Sequence, residues 1–359
     1  MAERPVALPL REVARGALWH AEVLQRSGLE MLRDFIGREL PDAPVSRLTG
    51  LRLSEVGLGN ASAAMPASPW WQTGAGVFLA GTIAFVADLP LSCAVLTSAP
   101  AGTLVASSQL SVNFLRPATI RSERLIGRAR LIHSTRSLGL AEANIEDGTG
   151  RLLGHATSRC VLIPGRADAF APRTAASVSV DLPDPYLRAV EGDLRGQEFW
   201  DTTEGLEAVR QIAQGRLTPP VSLLFDWRGV EAREGEFAMA MPASLWLANA
   251  FGTIYGGVIA VFADVAMTLA VATTVPARTA YSPLDMTVHF LRPALPGSGD
   301  LIARARVAHR GRTIAVTSCE IIDANGKLVA QASGSTLILP GRAWERPVNV
   351  GEEIAPEGR

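Results

Sequence analysis

The sequence predicts an α+β protein of two tandem units, each an antiparallel sheet wrapped around one long central helix, the pair packed as a pseudo-twofold dimer within one chain. Three observations carry this. First, residues 65 to 166 return without a gap as residues 241 to 342. Met65-Pro66-Ala67-Ser68 reappears at Met241, Leu115-Arg116-Pro117-Ala118 at Leu291 and Pro164-Gly165-Arg166 at Pro340, always 176 positions on. A constant offset over that span marks a duplicated unit. Second, each copy holds one stretch that is apolar on nearly every side, Gly74 to Ala99 and Ala250 to Val275, as a helix buried in a core would be. Third, the period then changes to two, the spacing of half-buried strands.

The copies also share their upstream parts, Gly28-Leu29-Glu30 with Gly205-Leu206-Glu207 and Pro44-Val45-Ser46 with Pro220-Val221-Ser222. The expected domains are 1–165, a linker over 166–186 rich in Pro, Ala, Ser and Asp, a second domain over 187–342 and a tail over 343–359. Each unit is long enough to bury a core of its own, and two units are too few for a solenoid.

Each unit opens on an amphipathic leader, about 11–39 and 187–215, whose Leu29, Leu32 and Ile36, or Leu206, Val209 and Ile212, have helical spacing. The prolines at 41–44 and 219–220 should end these leaders. Short strands are expected over 51–56 and 61–65, matched by 225–230 and 237–241, ahead of the long apolar helix. Behind it, Leu110, Val112 and Phe114 alternate with Gln109, Ser111 and Asn113, as Met286, Val288 and Phe290 do with Asp285, Thr287 and His289. Three more strands complete each unit, over 125–132, 138–146 and 152–163, then 301–308, 314–322 and 328–339. The turns Asp147-Gly148-Thr149-Gly150 and Asp323-Ala324-Asn325-Gly326 are short enough to require antiparallel pairing. One all-round apolar helix followed by several such strands is covered only if the sheet curls around it.

A net charge of −1 leaves no basic surplus for a nucleic-acid backbone, so no nucleic-acid partner is expected. Cys93, Cys160 and Cys319 have neither disulfide-framework nor zinc spacing, which fits a reducing cytoplasm. The first 30 residues hold no apolar core of signal-peptide length. Asp88 and Asp264, near the centres of the two apolar stretches, would be costly in lipid, so no membrane span is expected. No His-Glu-x-x-His, P-loop or Gly-x-Ser-x-Gly occurs, and Gly74-x-Gly76 lacks the third glycine of a dinucleotide fingerprint.

The segment Met241-Pro242-Ala243-Ser244…Asn249…Gly252-Thr253-Ile254-Tyr255-Gly256-Gly257…Ala263-Asp264, followed by Asp285-Met286-Thr287-Val288-His289-Phe290-Leu291-Arg292-Pro293, resembles the hot-dog fold acyl-CoA thioesterases of the phenylacetate-degradation (PaaI-like) type. In that family a pattern Asn…Gly…His-Gly-Gly…Asp begins and fills the central helix, and here Tyr255 stands at the His position. The resemblance covers roughly 45–163 and 221–339. It implies hydrolysis of an acyl-CoA thioester at the interface of the two units, with no cofactor beyond the coenzyme A of the substrate. Such chemistry asks for a carboxylate that activates water or attacks the carbonyl, N–H groups aimed at the oxyanion, and a polar group that orients the nucleophile.

A helix N-terminus supplies such N–H groups, and Gly256 and Gly257 permit close backbone approach there. Gly257 and Asp264 are separated by about 10 Å along a helix axis, so the carboxylate should come from the other unit. One composite site would then join Asn249, Gly256 and Gly257 to Asp88, assisted by Ser107. The other would join Thr73, Ala80 and Gly81 to Asp264, with Pro283, beside Ser282, in the place of Ser107. The first is expected to be active and the second impaired or devoted to binding.

Each residue also has a plainer role. Asn249 and Thr73 fit turn caps, the glycines fit close helix packing, and the aspartates fit structural carboxylates. Ser107 fits an ordinary strand hydroxyl. Tyr255, His289 and Asn113 are candidates to line the substrate pocket, and Arg136, Arg310 and Arg312 to meet the phosphates of coenzyme A, with solvated turn charges as the alternative. Two other functions compete: a non-catalytic acyl-thioester binding or assembly module, since fold does not fix function, and an enoyl-thioester hydratase. The hydratase branch looks for a His five residues after the helix Asp, where this chain has Cys93 and Leu269.

Overall fold

The computed structural model describes residues 9–165 and 182–341. Most of the expected linker and all of the expected tail lie outside these residues. The first unit runs α1 (Gly28–Ile36), α2 (Pro44–Thr49), β1 (Arg52–Gly57), β2 (Asn60–Pro66), α3 (Gly81–Leu96), β3 (Thr103–Phe114), β4 (Arg124–Ser134), β5 (Leu138–Asp147) and β6 (Leu152–Pro164). The second runs α4 (Gln197–Thr202), α5 (Gly205–Ala213), α6 (Pro220–Leu224), β7 (Arg228–Arg233), β8 (Glu236–Pro242), α7 (Gly256–Ala272), β9 (Thr279–Phe290), β10 (Asp300–Arg310), β11 (Ile314–Ile322) and β12 (Leu328–Pro340).

The leaders are shorter and more broken than their spacing suggested. Helix α1 starts only at Gly28, where Ser27 and Glu30 form a capping box, the Ser27 N–H donating to the Glu30 carboxylate at 2.8 Å. A Cβ on Gly28 would stand 1.9 Å from the Leu96 carbonyl oxygen, so only glycine lets the leader cross the end of α3 this closely. Gly205 makes the same approach to the Ala272 carbonyl of α7. Pro44 and Pro220 do not merely end the leaders. Each opens a short helix of its own at the first position, where a missing N–H costs nothing. Because α6 continues to Leu224 and closes on buried Phe225, β7 begins at Arg228 rather than at 225.

All twelve strands join in one antiparallel sheet, in the order β1-β2-β4-β5-β6-β3-β9-β12-β11-β10-β8-β7. The second half repeats the first in reverse, and β3 and β9 form the seam. Along it Gln109 faces His289, Ser111 faces Thr287 and Asn113 faces Asp285. Ser111 and Thr287 are equivalent residues of the two repeats, and their hydroxyls meet at 2.8 Å, so the pseudo-twofold axis passes between them. Glu12 and Arg188, also 176 apart, form a two-pronged ion pair, with Arg188 Nη2 at 2.8 Å from Glu12 Oε2.

Helices α3 and α7 pack on each other and are enclosed by the sheet. This explains why neither has a polar face: Ile83, Phe85, Leu91, Val258 and Phe262 are all fully or almost fully buried, each contributing about 1.5–3 kcal/mol of hydrophobic burial. No helix among the described residues is long and apolar enough to cross a membrane.

The two cores differ by one compensated pair of exchanges among others. Helix α3 carries Pro90 in its interior, and Gly127 on β4 makes room for the ring: a Cβ at 127 would stand 2.9 Å from Pro90 Cγ. The second unit has Ala266 and Ala303 at these two places. Bulk removed on the strand offsets bulk added on the helix.

Candidate active site

The two central helices are placed so that the N-terminus of each meets the middle of the other. Gly81, first residue of α3, donates its N–H to Asp264 Oδ2 at 2.8 Å. Gly257, second residue of α7, donates its N–H to the Asp88 carboxylate. Glycine is required on these approaches. A Cβ at Gly256 would stand 2.6 Å from Asp88 Oδ2, one at Gly257 2.8 Å from the Phe85 carbonyl oxygen, and one at Gly81 2.9 Å from Asp264 Oδ2. The structure therefore brings Asp88 together with Gly256 and Gly257, and Asp264 together with Gly81, each pair formed across the two units.

Ser107 reaches Asp88 because of a β-bulge. The β3–β6 ladder pairs Ser107 with Cys160 and then Gln109 with Arg159, leaving Ser108 unpaired. One extra residue reverses the in–out phase of a strand. Leu110 and Val112 face the helices, Gln109, Ser111 and Asn113 face away, and beyond the bulge Ser107 faces the helices again. Its Oγ donates to Asp88 Oδ1 at 2.9 Å. Strand β9 keeps the same bulge, at Leu284, but there it turns Pro283 to the place of Ser107. The neighbouring Ser282 hydroxyl is exposed and points at the Pro283 carbonyl instead of at Asp264.

The two carboxylates are almost equally buried, at 3% and 2% exposure, yet differ in their donors. Burial pushes Asp88 up to about 6, against the lowering effect of the Ser107 hydroxyl and the Gly257 N–H. Burial pushes Asp264 up to about 7, opposed by the Gly81 N–H alone. At neutral pH the first is mostly ionised and the second is divided between its two forms.

Other expected site residues have different partners. Asn249 organises the loop before α7: its Oδ1 accepts from the N–H groups of Phe251 (2.9 Å) and Thr253 (3.2 Å), and its Nδ2 donates to Thr253 Oγ1 (2.9 Å). Its side chain thus caps this turn. Thr73, its counterpart, repeats the backbone contact, N–H to the Val77 carbonyl at 2.8 Å, but its buried Oγ1 has no hydrogen-bond partner among the described residues. Tyr255 is buried at the N-cap of α7, and its hydroxyl donates to the Phe85 carbonyl at 2.7 Å.

Asn113 and His289 do not line the site. Both are exposed, on the side of the seam away from α3 and α7, because the strand phase that buries Val112 and Val288 turns them outward. Arg136, Arg310 and Arg312 are exposed at the turns near the far ends of the helices. Arg310 Nε donates to Thr274 Oγ1 at 3.1 Å, beyond the C-terminus of α7, and at 1.5 Å per residue that is about 27 Å along the axis from Gly256. The Ser98–Ser134 hydroxyl contact sets the turn bearing Arg136 at the C-terminal end of α3.

Sequence reasoning missed the thiols that wall the site. Cys160 pairs with Ser107 across β3–β6, and Cys93 lies one helical turn and a residue beyond Asp88. Burial and the nearby carboxylate push both up to about 12, so neither is a nucleophile at neutral pH. No group of three or more His, Cys, Asp or Glu residues that could hold a metal occurs among the described residues.

Comparison with known proteins shows the family. A model of the thioesterase superfamily matches residues 75–153 and 251–330, one match per unit. Acyl-coenzyme A thioesterase 13 of Homo sapiens is 34% identical over 103 residues, spanning 28% of this chain and 72% of that protein, and the Pongo abelii protein of the same name matches equally. The chain belongs to the thioesterase superfamily. As a member of the thioesterase superfamily it is a thioester hydrolase. Among solved structures, a tesB protein of Mycobacterium avium subspecies paratuberculosis is similar with a TM-score of 0.52 and 17% identity, over 83% of this chain and 98% of that one. A conserved hot-dog protein of unknown function from Alicyclobacillus acidocaldarius gives 0.51 and 15%, over 82% and 97%. At these identities they show the fold, tandem hot-dog units read along a whole chain.

Proposed function

We propose that this thioesterase hydrolyses acyl-CoA at one composite site, formed by Asp88 and Ser107 of the first unit and the N-terminus of α7 in the second. The observation that carries this reading is the unequal equipment of the two carboxylates: Asp88 receives a hydroxyl and a helix N-terminal N–H, Asp264 only an N–H. The acyl-CoA substrate class is supported by the name of the human relative.

Asp88, ionised at neutral pH and held by Ser107, takes a proton from a water molecule as that water attacks the thioester carbon. The Gly257 N–H holds the carboxylate in place. The Gly256 N–H, the first of α7 and so without an intrahelical acceptor, is left for the oxygen that becomes negative, helped by the positive end of the helix dipole. Collapse of the tetrahedral intermediate breaks the carbon–sulfur bond, and the departing thiolate of coenzyme A takes the proton from Asp88. The products are the free acid and coenzyme A. The carboxylate could instead attack the carbonyl itself and form an anhydride that water opens. Water that opens the anhydride at its aspartyl carbonyl leaves its oxygen in Asp88, so label found in Asp88 after a single turnover in H2(18)O would establish the anhydride route.

Release of free thiol from a panel of acyl-CoA compounds, run beside a binding titration with the same compounds, tests the activity. Thiol release well above background for at least one compound is expected. Binding of several compounds with release of none would contradict hydrolysis and favour a binding module.

A further inference from the structure

We propose that Tyr255 is a positioning residue that sets the gap between Asp88 and the N–H groups of α7, an inference that rests on the Asp88 site being the hydrolytic one. Tyr255 is the last residue before Gly256 and Gly257 and is only 5% exposed. Its phenol reaches across the pseudo-dimer interface to α3, where the hydroxyl donates to the Phe85 carbonyl at 2.7 Å. The Leu89 N–H faces the same oxygen. The phenol thus meets α3 within the helical repeat, Phe85 to Leu89, that carries Asp88. The ring meets Phe85 edge-on, with centroids 5.1 Å apart at 88°, and covers Gly257, where a Cβ would stand 2.4 Å from Tyr255 Cε1.

The turn tied in this way is one that needs tying. Pro90 has no N–H to give the Val86 carbonyl, so the ladder of α3 lacks the rung from 90 to 86 that spans Asp88. A helix interrupted there can shift its carboxylate, and displacements near 1 Å at a reacting group are costly, by about 100-fold in rate. The phenol hydroxyl of the opposite unit fastens this turn to the residue that begins α7. The acid and the oxyanion donors are then held by one side chain.

The second composite site has no such device. Leu79 stands where the first site has Tyr255, and Ala266 stands where α3 has Pro90. The brace therefore occurs once, at the site that also has Ser107. Tyr255 replaces the His of the family pattern, and the reach of a phenol is what allows contact with a backbone carbonyl on the facing helix.

Tyr255→Phe keeps the ring and removes the O–H. The expected result is a fall in kcat of about tenfold, the worth of one buried hydrogen bond, with KM within about twofold of the parent. Ser111→Ala removes another hydrogen bond between the units, on the outer side of the seam, and should leave kcat within about twofold. Replacing Tyr255 by 4-aminophenylalanine retains both ring and donor and should keep kcat within about threefold of the parent, whether or not the phenylalanine variant folds fully. The proposal is overturned if Tyr255→Phe retains parental kcat, if Ser111→Ala loses as much as it does, or if the 4-aminophenylalanine protein is folded and tenfold slower. Asp88→Asn, assayed alongside, separates the failures: an inactive Asp88→Asn with a normal Tyr255→Phe removes the brace alone, whereas an active Asp88→Asn removes the site as well.

Discussion

The Ser107 hydroxyl donates to Asp88 at 2.9 Å, while the residue related to it by the repeat is Pro283, which has nothing to donate to Asp264. Both strands carry the bulge that turns this position inward, so the scaffold is symmetric and the chemistry is not. Burial raises both acids, and the one with the extra donor is raised less, to about 6 against about 7.

Removing the donor should make the first acid resemble the second. Ser107→Ala is expected to move the acid limb of the kcat/KM profile from near pH 6 towards pH 7. A general base works only when ionised, so activity is lost as pH falls through its pKa, and the variant should lose most below neutrality and least in alkaline buffer. A pH–rate profile measured over pH 5 to 9 checks this; a parallel drop at every pH would mean that Ser107 does not act through Asp88.

Asp264 should weaken the fold in alkali. Its folded-state value lies above the unfolded one, so its favourable contribution is full below about 3.8 and is lost as pH rises through about 7. Between the two values the loss amounts to at most about 4 kcal/mol. Asp264→Asn keeps an acceptor for the Gly81 N–H and cannot ionise. Its Tm relative to the parent should therefore be higher at pH 8.5 than at pH 5, as heat-unfolding curves at the two pH values will show. A difference independent of pH would count against a strongly raised acid at this position.

The Pro90–Gly127 pair should behave as a steric unit. Gly127→Ala forces a methyl group against the proline ring and is expected to cost about 1–3 kcal/mol. Adding Pro90→Ala recreates the combination found in the second unit and should recover most of that loss. A double-mutant cycle by urea unfolding measures the coupling; strict additivity would show that the two positions are independent.

Much of this was legible in the sequence because two copies were available to compare. The 176-residue offset exposed the duplication, the three later strand candidates of each unit matched β4 to β6 and β10 to β12 to within about two residues, the period-two segments 109–114 and 285–290 covered only the second halves of β3 and β9, and the aspartates stood out in otherwise apolar helices. Local rules failed where tertiary contacts decided. The leaders were read as long helices, but α1 can begin only where Gly28 slides past Leu96. The bulges at Ser108 and Leu284 leave no mark in composition, and without them the direction in which Ser107 or Pro283 points cannot be inferred. The partner of Tyr255 is a backbone carbonyl on another unit, which no side-chain pattern records.

The most direct test of the whole account is the rate of thiol release by Asp88→Asn and Asp264→Asn on one acyl-CoA substrate turned over by the parent. Loss of at least about 100-fold in kcat for Asp88→Asn, with Asp264→Asn within about threefold of the parent, is the predicted result. Equal losses in the two variants, or an active Asp88→Asn, would contradict it.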